Sequence, residues 1–282
     1  GLRMADLLDP EFPALLTSRV AEKNRALAAL GAPTVDAAEI LAATQKAMQT
    51  LGPLVCDTVP LLYDAVVRGE EMLFEGAQGI LLDIDFGTYP YVTSSNAASG
   101  GACTGSGVPP NRMDRVVGVL KAYVTRVGEG PFPTELHDAT GEELRRVGNE
   151  FGATTGRPRR CGWFDAVAAR HAVMTCGVDE WALTKLDVLD GFATLNICTA
   201  YELDGRRIAH FPANVRELAR CKPVYEEHPG WQASTRGAKR LEDLPPAAQT
   251  YIARLEELTG VPVGILSLGP RRADTILRGV HA

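Results

Sequence analysis

Apolar positions recur at helical spacing through the first part of the chain. Phe12, Leu15, Leu16, Val20, Leu27 and Leu30 predict a helix over 11–30 that Gly31-Ala32-Pro33 stops. Ile40, Leu41 and Met48 predict a second helix over 36–51, and Leu54, Val55, Val59, Leu62 and Val66 a third over 53–68, where Pro60 forces a kink or a late start. These read as packing helices, a helical segment over 1–70. From Met72 the pattern changes. Met72-Leu73-Phe74 is a short apolar run of the kind a buried parallel strand needs, and Glu75-Gly76-Ala77-Gln78-Gly79 follows where it would end. Beyond it the pattern predicts a helix over 111–120 behind Pro109-Pro110, a strand over 121–127, a helix over 163–176 and a strand over 180–187. A hairpin over 193–211 turning at Leu203-Asp204-Gly205, a helix over 245–259 closed by Gly260, and a last strand running into Ile265-Leu266-Ser267-Leu268-Gly269-Pro270 complete the reading. The expected fold is α/β: a mostly parallel central sheet flanked by helices, with Leu73, Leu183 and Ile265 on central strands and a β-hairpin near 193–211. Residues 1–282 are read as a single domain, with the helical segment inside it.

Composition narrows the classes. With 282 residues and 45% hydrophobic content the chain buries a substantial core. A balance of 29 Lys and Arg against 35 Asp and Glu, net −6, argues against a general nucleic-acid binder. No apolar run approaches the ~18 residues of a membrane span, and no signal peptide precedes the first helix, so the expectation is a cytoplasmic chain with no membrane partner. The six cysteines are scattered without metal-ligand spacing and read as buried thiols, with no metal site and no role for Cys103. The chain opens on Gly1-Leu2 without a methionine, which reads as a sequence whose beginning is missing.

Three stretches carry chemistry. The first is the strand end at Gln78 with the loop behind it: Thr93 to Gly107 holds four serines, two threonines, an asparagine and four glycines, yet is framed by Tyr89-Pro90-Tyr91 and by a predicted helix. An ordered binding loop fits that framing better than a flexible linker. Gln78 offers an amide suited to a base edge, and Gly76 and Gly79 allow close backbone approach. The second is Gly148 to Asp165, where Thr154 and Thr155 between glycines precede Arg157, Arg159 and Arg160, a composition suited to an anion. The third is Thr184-Lys185-Leu186-Asp187 at the end of a predicted strand. One aspartate carboxylate can accept two parallel hydrogen bonds from guanine N1–H and its exocyclic amine, and a lysine stem can lie over the base. His171 reads as a packed or surface histidine, and Arg271 and Arg272 as surface charges.

The strings FEGAQG, LLDID, GTYPYVTSSN, TGSG and GPFPTEL resemble the adenylosuccinate synthetases, collinearly over the whole chain. That resemblance implies a P-loop-NTPase-like fold with the phosphate-loop segment absent, since neither G-D-E-G-K-G-K nor the switch segment with its histidine is found here. It implies GTP-dependent joining of IMP and L-aspartate through a 6-phosphoryl-IMP intermediate. Carried across position by position, Gln78, Thr93 and Arg157 match IMP contacts, and Ala153, Thr154, Thr155, Gly156, Arg157, Pro158 and Arg159 match the aspartate loop. Arg159, Lys185, Leu186, Asp187, Ser267, Leu268 and Gly269 match GTP contacts, with Leu268 standing where a small residue is common. The same resemblance implies a homodimer and Mg2+, whose ligands are expected outside this chain together with the catalytic groups. The 282 residues alone are therefore expected to be inactive. The alternative is a non-catalytic purine-nucleotide-binding or dimerisation fragment.

Overall fold

The computed structural model describes residues 1–152 and 156–279, and the chain divides into two compact units, Gly1–Glu70 and Glu71–Ala282. In the first, α1 spans Phe12–Ala29, α2 Ala37–Leu51 and α3 Thr58–Val67. Phe12, Leu16 and Val20 form the buried face of α1, against which Ala37, Ile40 and Leu41 of α2 pack. Asp36 and Asp57 start α2 and α3 by accepting the amide protons of Ala38 and Val59 at 2.7 and 3.1 Å. The third helix takes the late start that Pro60 allowed, placing that proline in the first turn where its missing N–H breaks no bond.

Residues 37–67 depart from the expectation that no apolar stretch approaches the length of a membrane span. Counted together they are long and apolar enough to cross a membrane by length and composition, with a mean hydropathy of 1.3 in a window only 6% buried. Alanines, threonines and glutamines dilute the strongly apolar positions there, so no single run marks the segment in the sequence. The segment is nevertheless not one continuous α-helix: α2 ends at Leu51, residues 55–57 are non-helical, and Asp57 caps a new start. Leu54, Val59, Leu61, Tyr63 and Val67 are all exposed.

The second unit holds the sheets. Its elements are α4 Gly100–Ser106, β1 Val117–Lys121, β2 Val124–Arg126, α5 Ala139–Gly148, β3 Arg160–Gly162 and β4 Phe164–Asp165. They continue as α6 Ala166–Cys176, β5 Glu180–Thr184, β6 Thr194–Leu203, β7 Arg206–Ile208, α7 Val215–Leu218, β8 Lys222–Pro229, α8 Pro246–Thr259, β9 Val263–Ser267 and β10 Thr275–Leu277. One sheet runs β1-β5-β9-β10, with β1, β5 and β9 parallel and β10 antiparallel at the edge. A second sheet joins β4, β6, β7 and β8, and β2 pairs with β3. The fold is thus α/β with a mixed sheet flanked by helices.

Burial explains the central strand. Trp181, Ala182 and Leu183 on β5 are buried, as a strand covered on both faces requires. Trp181 Nε1 donates to Thr259 Oγ1 at 3.0 Å, and Tyr251 Oη donates to the carbonyl of Ala122 at 2.8 Å, tying α8 across β5 and the end of β1. The hairpin forms as read: β6 and β7 pair Leu203 with Arg206 around Asp204 and Gly205, both at positive φ.

Two sequence expectations fail. Residues 72–74 are not a strand, and Leu73 is 93% exposed. No strand among the described residues offers them a ladder, and an apolar run without neighbours has no partner for its N–H and C=O groups. Residues 111–120 are not a helix: a single tight turn at Pro110–Arg112 is followed by β1. Pro109-Pro110 permits a helix start, but Val116 to Leu120 is a short apolar run whose period does not separate helix from strand, and pairing with β5 decides it.

Candidate functional site

Because β1, β5 and β9 run parallel, Lys121, Thr184 and Ser267 come to one end of the sheet, where the chain must leave each strand. Lys185 follows Thr184 in the left-handed region with φ 63°, an uncommon conformation for a side chain of that size. Its Nζ donates to the carbonyl of Gly148, the last residue of α5, at 2.8 Å. A lysine at a helix carboxyl end both satisfies an orphan carbonyl and opposes the dipole. Leu186 is completely buried in the core. Asp187 is nearly buried, and its Oδ2 receives Arg236 Nε and Nη2 at 3.3 and 3.0 Å. On the neighbouring strand end, Ser267 Oγ donates to the carbonyl of Gly269 at 3.1 Å, while Leu268 is buried and its N–H goes to the carbonyl of Asp274. Leu268 thus fills the core rather than the space above the strands.

The arginine loop is anchored by a residue the sequence reading passed over. Glu150 has no exposed surface, and its carboxylate collects Lys121 Nζ at 2.8 Å, Tyr123 Oη at 2.6 Å and Arg159 Nη1 at 2.6 Å. Burial pushes this carboxyl up, but the hydrogen bonds from Lys121, Tyr123 and Arg159 outweigh it and hold the group below the usual carboxylate range. Lys121 is drawn the other way, its ammonium lowered by burial despite Glu150. Arg160 turns aside to Glu135 and to the carbonyls of Gly128 and Gly130 at 3.1 and 2.8 Å. Ala153, Thr154 and Thr155 lie outside the described residues. Around them, Gly156 has φ 63° and donates to the carbonyl of Gly152 at 2.8 Å. The carbonyl of Arg157, whose residue is exposed, accepts from Gly152 at the same distance, and Pro158 bridges to Phe151.

A second acid organises the serine-rich loop. Asp83, also fully buried, accepts the amide protons of Asp85 and Phe86 on Oδ1, both at 2.9 Å, and of Ala97 and Ala98 on Oδ2, at 2.6 and 2.9 Å. Burial alone would raise its pKa, and the N–H groups of Phe86, Ala98, Asp85 and Ala97 together lower it below the ordinary value. A Cβ at Gly87 would come within 2.4 Å of the carbonyl oxygen of Asp83, so the turn around this carboxylate needs glycine. Thr93, half-buried, donates its N–H to the carbonyl of Leu82 at 2.8 Å and keeps Oγ1 3.4 Å from Ser95 Oγ. Arg126 braces the same loop through Thr88 Oγ1 and the carbonyl of Tyr91 at 2.8 and 3.1 Å. His171 accepts the packing role read for it: Nε2 lies 2.9 Å from the carbonyl oxygen of Phe86 and the ring stacks on Phe211 at 4.8 Å. Gln78 is exposed with φ 63°, a backbone setting that glycine adopts without strain and glutamine does not.

The site residues therefore form two groups, Lys185, Asp187 and Ser267 with Arg159 and Glu150 at the strand ends, and Thr93 on the loop held by Asp83 and Arg126. What the sequence reading missed was Glu150, Lys121, Tyr123, Asp83 and Arg236. The available signal was Asp83, a charge set inside the apolar run Ile80 to Ile84. Among the described residues no three His, Cys, Asp or Glu side chains converge as a metal cluster. Of the cysteines, Cys161, Cys198 and Cys221 are buried as expected, Cys103 and Cys176 are half-buried, and Cys56 is exposed.

A family model for adenylosuccinate synthetase matches residues 1–276. The chain belongs to that family. It is 51% identical to the adenylosuccinate synthetase of Geotalea daltonii over 279 residues, covering 98% of this chain and 65% of that protein. With the Brevibacillus brevis synthetase the identity is 52% over 284 residues, covering 100% and 66%. The fully ligated adenylosuccinate synthetase of Plasmodium falciparum superposes with a TM-score of 0.93 at 32% identity, covering 99% of this chain and 66% of that one. The chain thus spans about two thirds of the length of these family members.

Proposed function

We propose that these 282 residues supply the purine- and aspartate-binding surfaces of an enzyme that joins IMP and L-aspartate to adenylosuccinate while GTP becomes GDP and phosphate. In this reading GTP phosphorylates the 6-oxygen of IMP and the amine of aspartate displaces that phosphate. The supporting observation is the pair Lys185 and Asp187 set at the end of central strand β5, beside Ser267 at the end of parallel β9. A recessed carboxylate there selects a base with two adjacent N–H donors, which guanine has and adenine lacks. Gln78, Thr93 and Arg157 are assigned to IMP, residues 153–159 to aspartate, and Arg159, Lys185 to Asp187 and Ser267 to Gly269 to GTP. Leu186 and Leu268, both buried, are assigned to hold Lys185, Asp187, Ser267 and Gly269 in place beside the base.

The groups that stabilise the transferring phosphoryl charge, with the Mg2+ they hold, are assigned to residues other than these. No G-x-x-x-x-G-K-[S/T] string occurs in the sequence, and phosphoryl transfer depends on such charge stabilisation. The enzyme is read as a cytoplasmic homodimer without nucleic-acid or membrane partners. The test has two arms. Asp187→Asn in an active synthetase carrying these residues should raise the KM for GTP about 10- to 100-fold, the loss of a charge-assisted contact, with the KM for IMP nearly unchanged. An unaltered GTP dependence refutes the site. The 282-residue chain alone, confirmed by mass, should give no adenylosuccinate from IMP, GTP, aspartate and Mg2+. Turnover on the order of 1 s⁻¹ would place the catalytic groups within it.

A further inference from the structure

Asp187 does not wait empty-handed. Arg236 reaches it from the segment 231–238, and that segment is fixed by another acid: Asp190 accepts Trp231 Nε1 at 2.8 Å, Thr235 N at 2.9 Å and Thr235 Oγ1 at 2.8 Å. Thr235 is buried with its N–H held, whereas the next side chain, Arg236, is 69% exposed over an Asp187 side chain that is 7% exposed. Both of its donors, Nε and Nη2, fall on the single oxygen Oδ2, at 3.3 and 3.0 Å. That is a looser contact than the two-oxygen fork an arginine and a carboxylate can form, and an exposed guanidinium is readily returned to water.

The chemistry of the two partners coincides. Carbon 2 of guanine, with N1, N3 and the exocyclic nitrogen, is itself a guanidine, and its N1–H and amine N–H point side by side as Nε–H and Nη2–H of an arginine do. We propose that Arg236 is a stand-in for the base, a latch that occupies Asp187 in the ligand-free protein and is displaced when guanine enters. This rests on the assignment of Asp187 to guanine made above. A competitor built into the chain lowers the apparent affinity by the fraction of molecules in which it is open. It also keeps a nearly buried carboxylate hydrogen-bonded, which discourages stray cations from settling there.

The test uses the 282-residue chain and neutral guanosine, so that phosphate contacts play no part. In ¹H–¹⁵N spectra of the ligand-free protein, Arg236 Nε–H should give an exchange-protected resonance that Arg236→Ala identifies and Asp187→Asn removes. Guanosine should remove that protection as well. In calorimetric titrations Arg236→Ala should bind guanosine about 2- to 6-fold more tightly, the range expected for removing one exposed ion pair. Raising salt from about 0.05 to 0.5 M should tighten guanosine binding to the unaltered chain and not to Arg236→Ala, because screening weakens the latch alone. An unprotected Arg236 Nε–H, or guanosine bound equally or less tightly by Arg236→Ala while Asp187→Asn still loses it, overturns the latch and leaves the guanine reading standing. Guanosine bound by Asp187→Asn as well as by the unaltered chain overturns the guanine reading itself.

Discussion

Glu150 and Arg159 hold each other twice, Arg159 N to Glu150 O at 2.9 Å and Arg159 Nη1 to Glu150 Oε2 at 2.6 Å. The pair closes the base of the loop from Phe151 to Pro158, so the arginine-rich stretch is presented from a fixed stem. Glu150→Ala should strand Lys121, Tyr123 and Arg159 together. Breaking a buried pair costs about 3–5 kcal/mol, and because Lys121 and Arg159 keep 25% and 29% of their side-chain surface in water the lower end, about 3 kcal/mol, is expected. Urea unfolding measures it, and a midpoint unmoved by Glu150→Ala would contradict the anchoring role.

Arg157 is exposed, and its carbonyl accepts from Gly152 at 2.8 Å at the base of the loop. In an active synthetase carrying these residues, Arg157→Leu should raise the KM for aspartate by about 10-fold or more, as expected for losing an orienting arginine–carboxylate contact. Steady-state kinetics with normal aspartate saturation would remove Arg157 from the aspartate site.

Asp83 makes the serine-rich loop sensitive to acid. Its folded-state pKa is depressed, so its stabilisation is present above the ordinary aspartate pKa of about 4 and is lost as pH falls through the lower folded value. Asp83→Asn replaces one acceptor oxygen by an amide NH2 facing backbone N–H groups, and should cost about 1–3 kcal/mol for donors left unsatisfied. Limited proteolysis should then cut within 84–98 in the variant. A variant as resistant as the parent would show that the loop is held by other means.

Asp165 works in the opposite sense. It is buried, accepts Tyr201 Oη at 2.5 Å and the amide protons of Val167 and Ala168, and has its pKa raised by burial to about 6. A carboxyl with a raised folded pKa favours folding fully below its unfolded value and progressively less as pH rises through 6. Between pH 4 and 7 the stability of the parent relative to Asp165→Asn should therefore fall, by about 3 kcal/mol if the whole shift is expressed. A pH-independent difference between the two proteins in chemical denaturation would refute it.

How far the sequence carried the reading depended on whether a feature was local. Thr184 to Asp187 was legible because a buried strand ends abruptly in polar residues, and the Asp204-Gly205 turn because its left-handed backbone demands those residue types. Pro60 was legible for the same reason, a constraint acting within one turn. β1 was not: whether Val117 to Lys121 coils or extends is settled by β5, far along the chain. The Glu150 cluster was hidden because Lys121, Tyr123, Glu150 and Arg159 meet only after three elements have packed, and no spacing signals it. Arg236 lies beyond three strands, β6, β7 and β8, from the Asp187 it contacts. The strand expected at Met72 to Phe74 failed because a strand is a property of a pair, and the sequence shows one member at a time.

The carboxylate of Asp190 has a topological meaning beyond its support of Arg236. The chain departs at Asp190 into β6, β7 and β8 and comes back to the same oxygens at Trp231 and Thr235, while Gly230 closes on the carbonyl of Ala193 at 2.8 Å. The excursion is drawn shut at its neck like a purse. Its far tip, Asp204-Gly205, is exposed and bears an ion pair with Arg220. A peptide tag or fluorescent domain spliced between these two residues enters at a turn that already reverses the chain. The neck then keeps the added length from being transmitted to the strand ends where Asp187 stands.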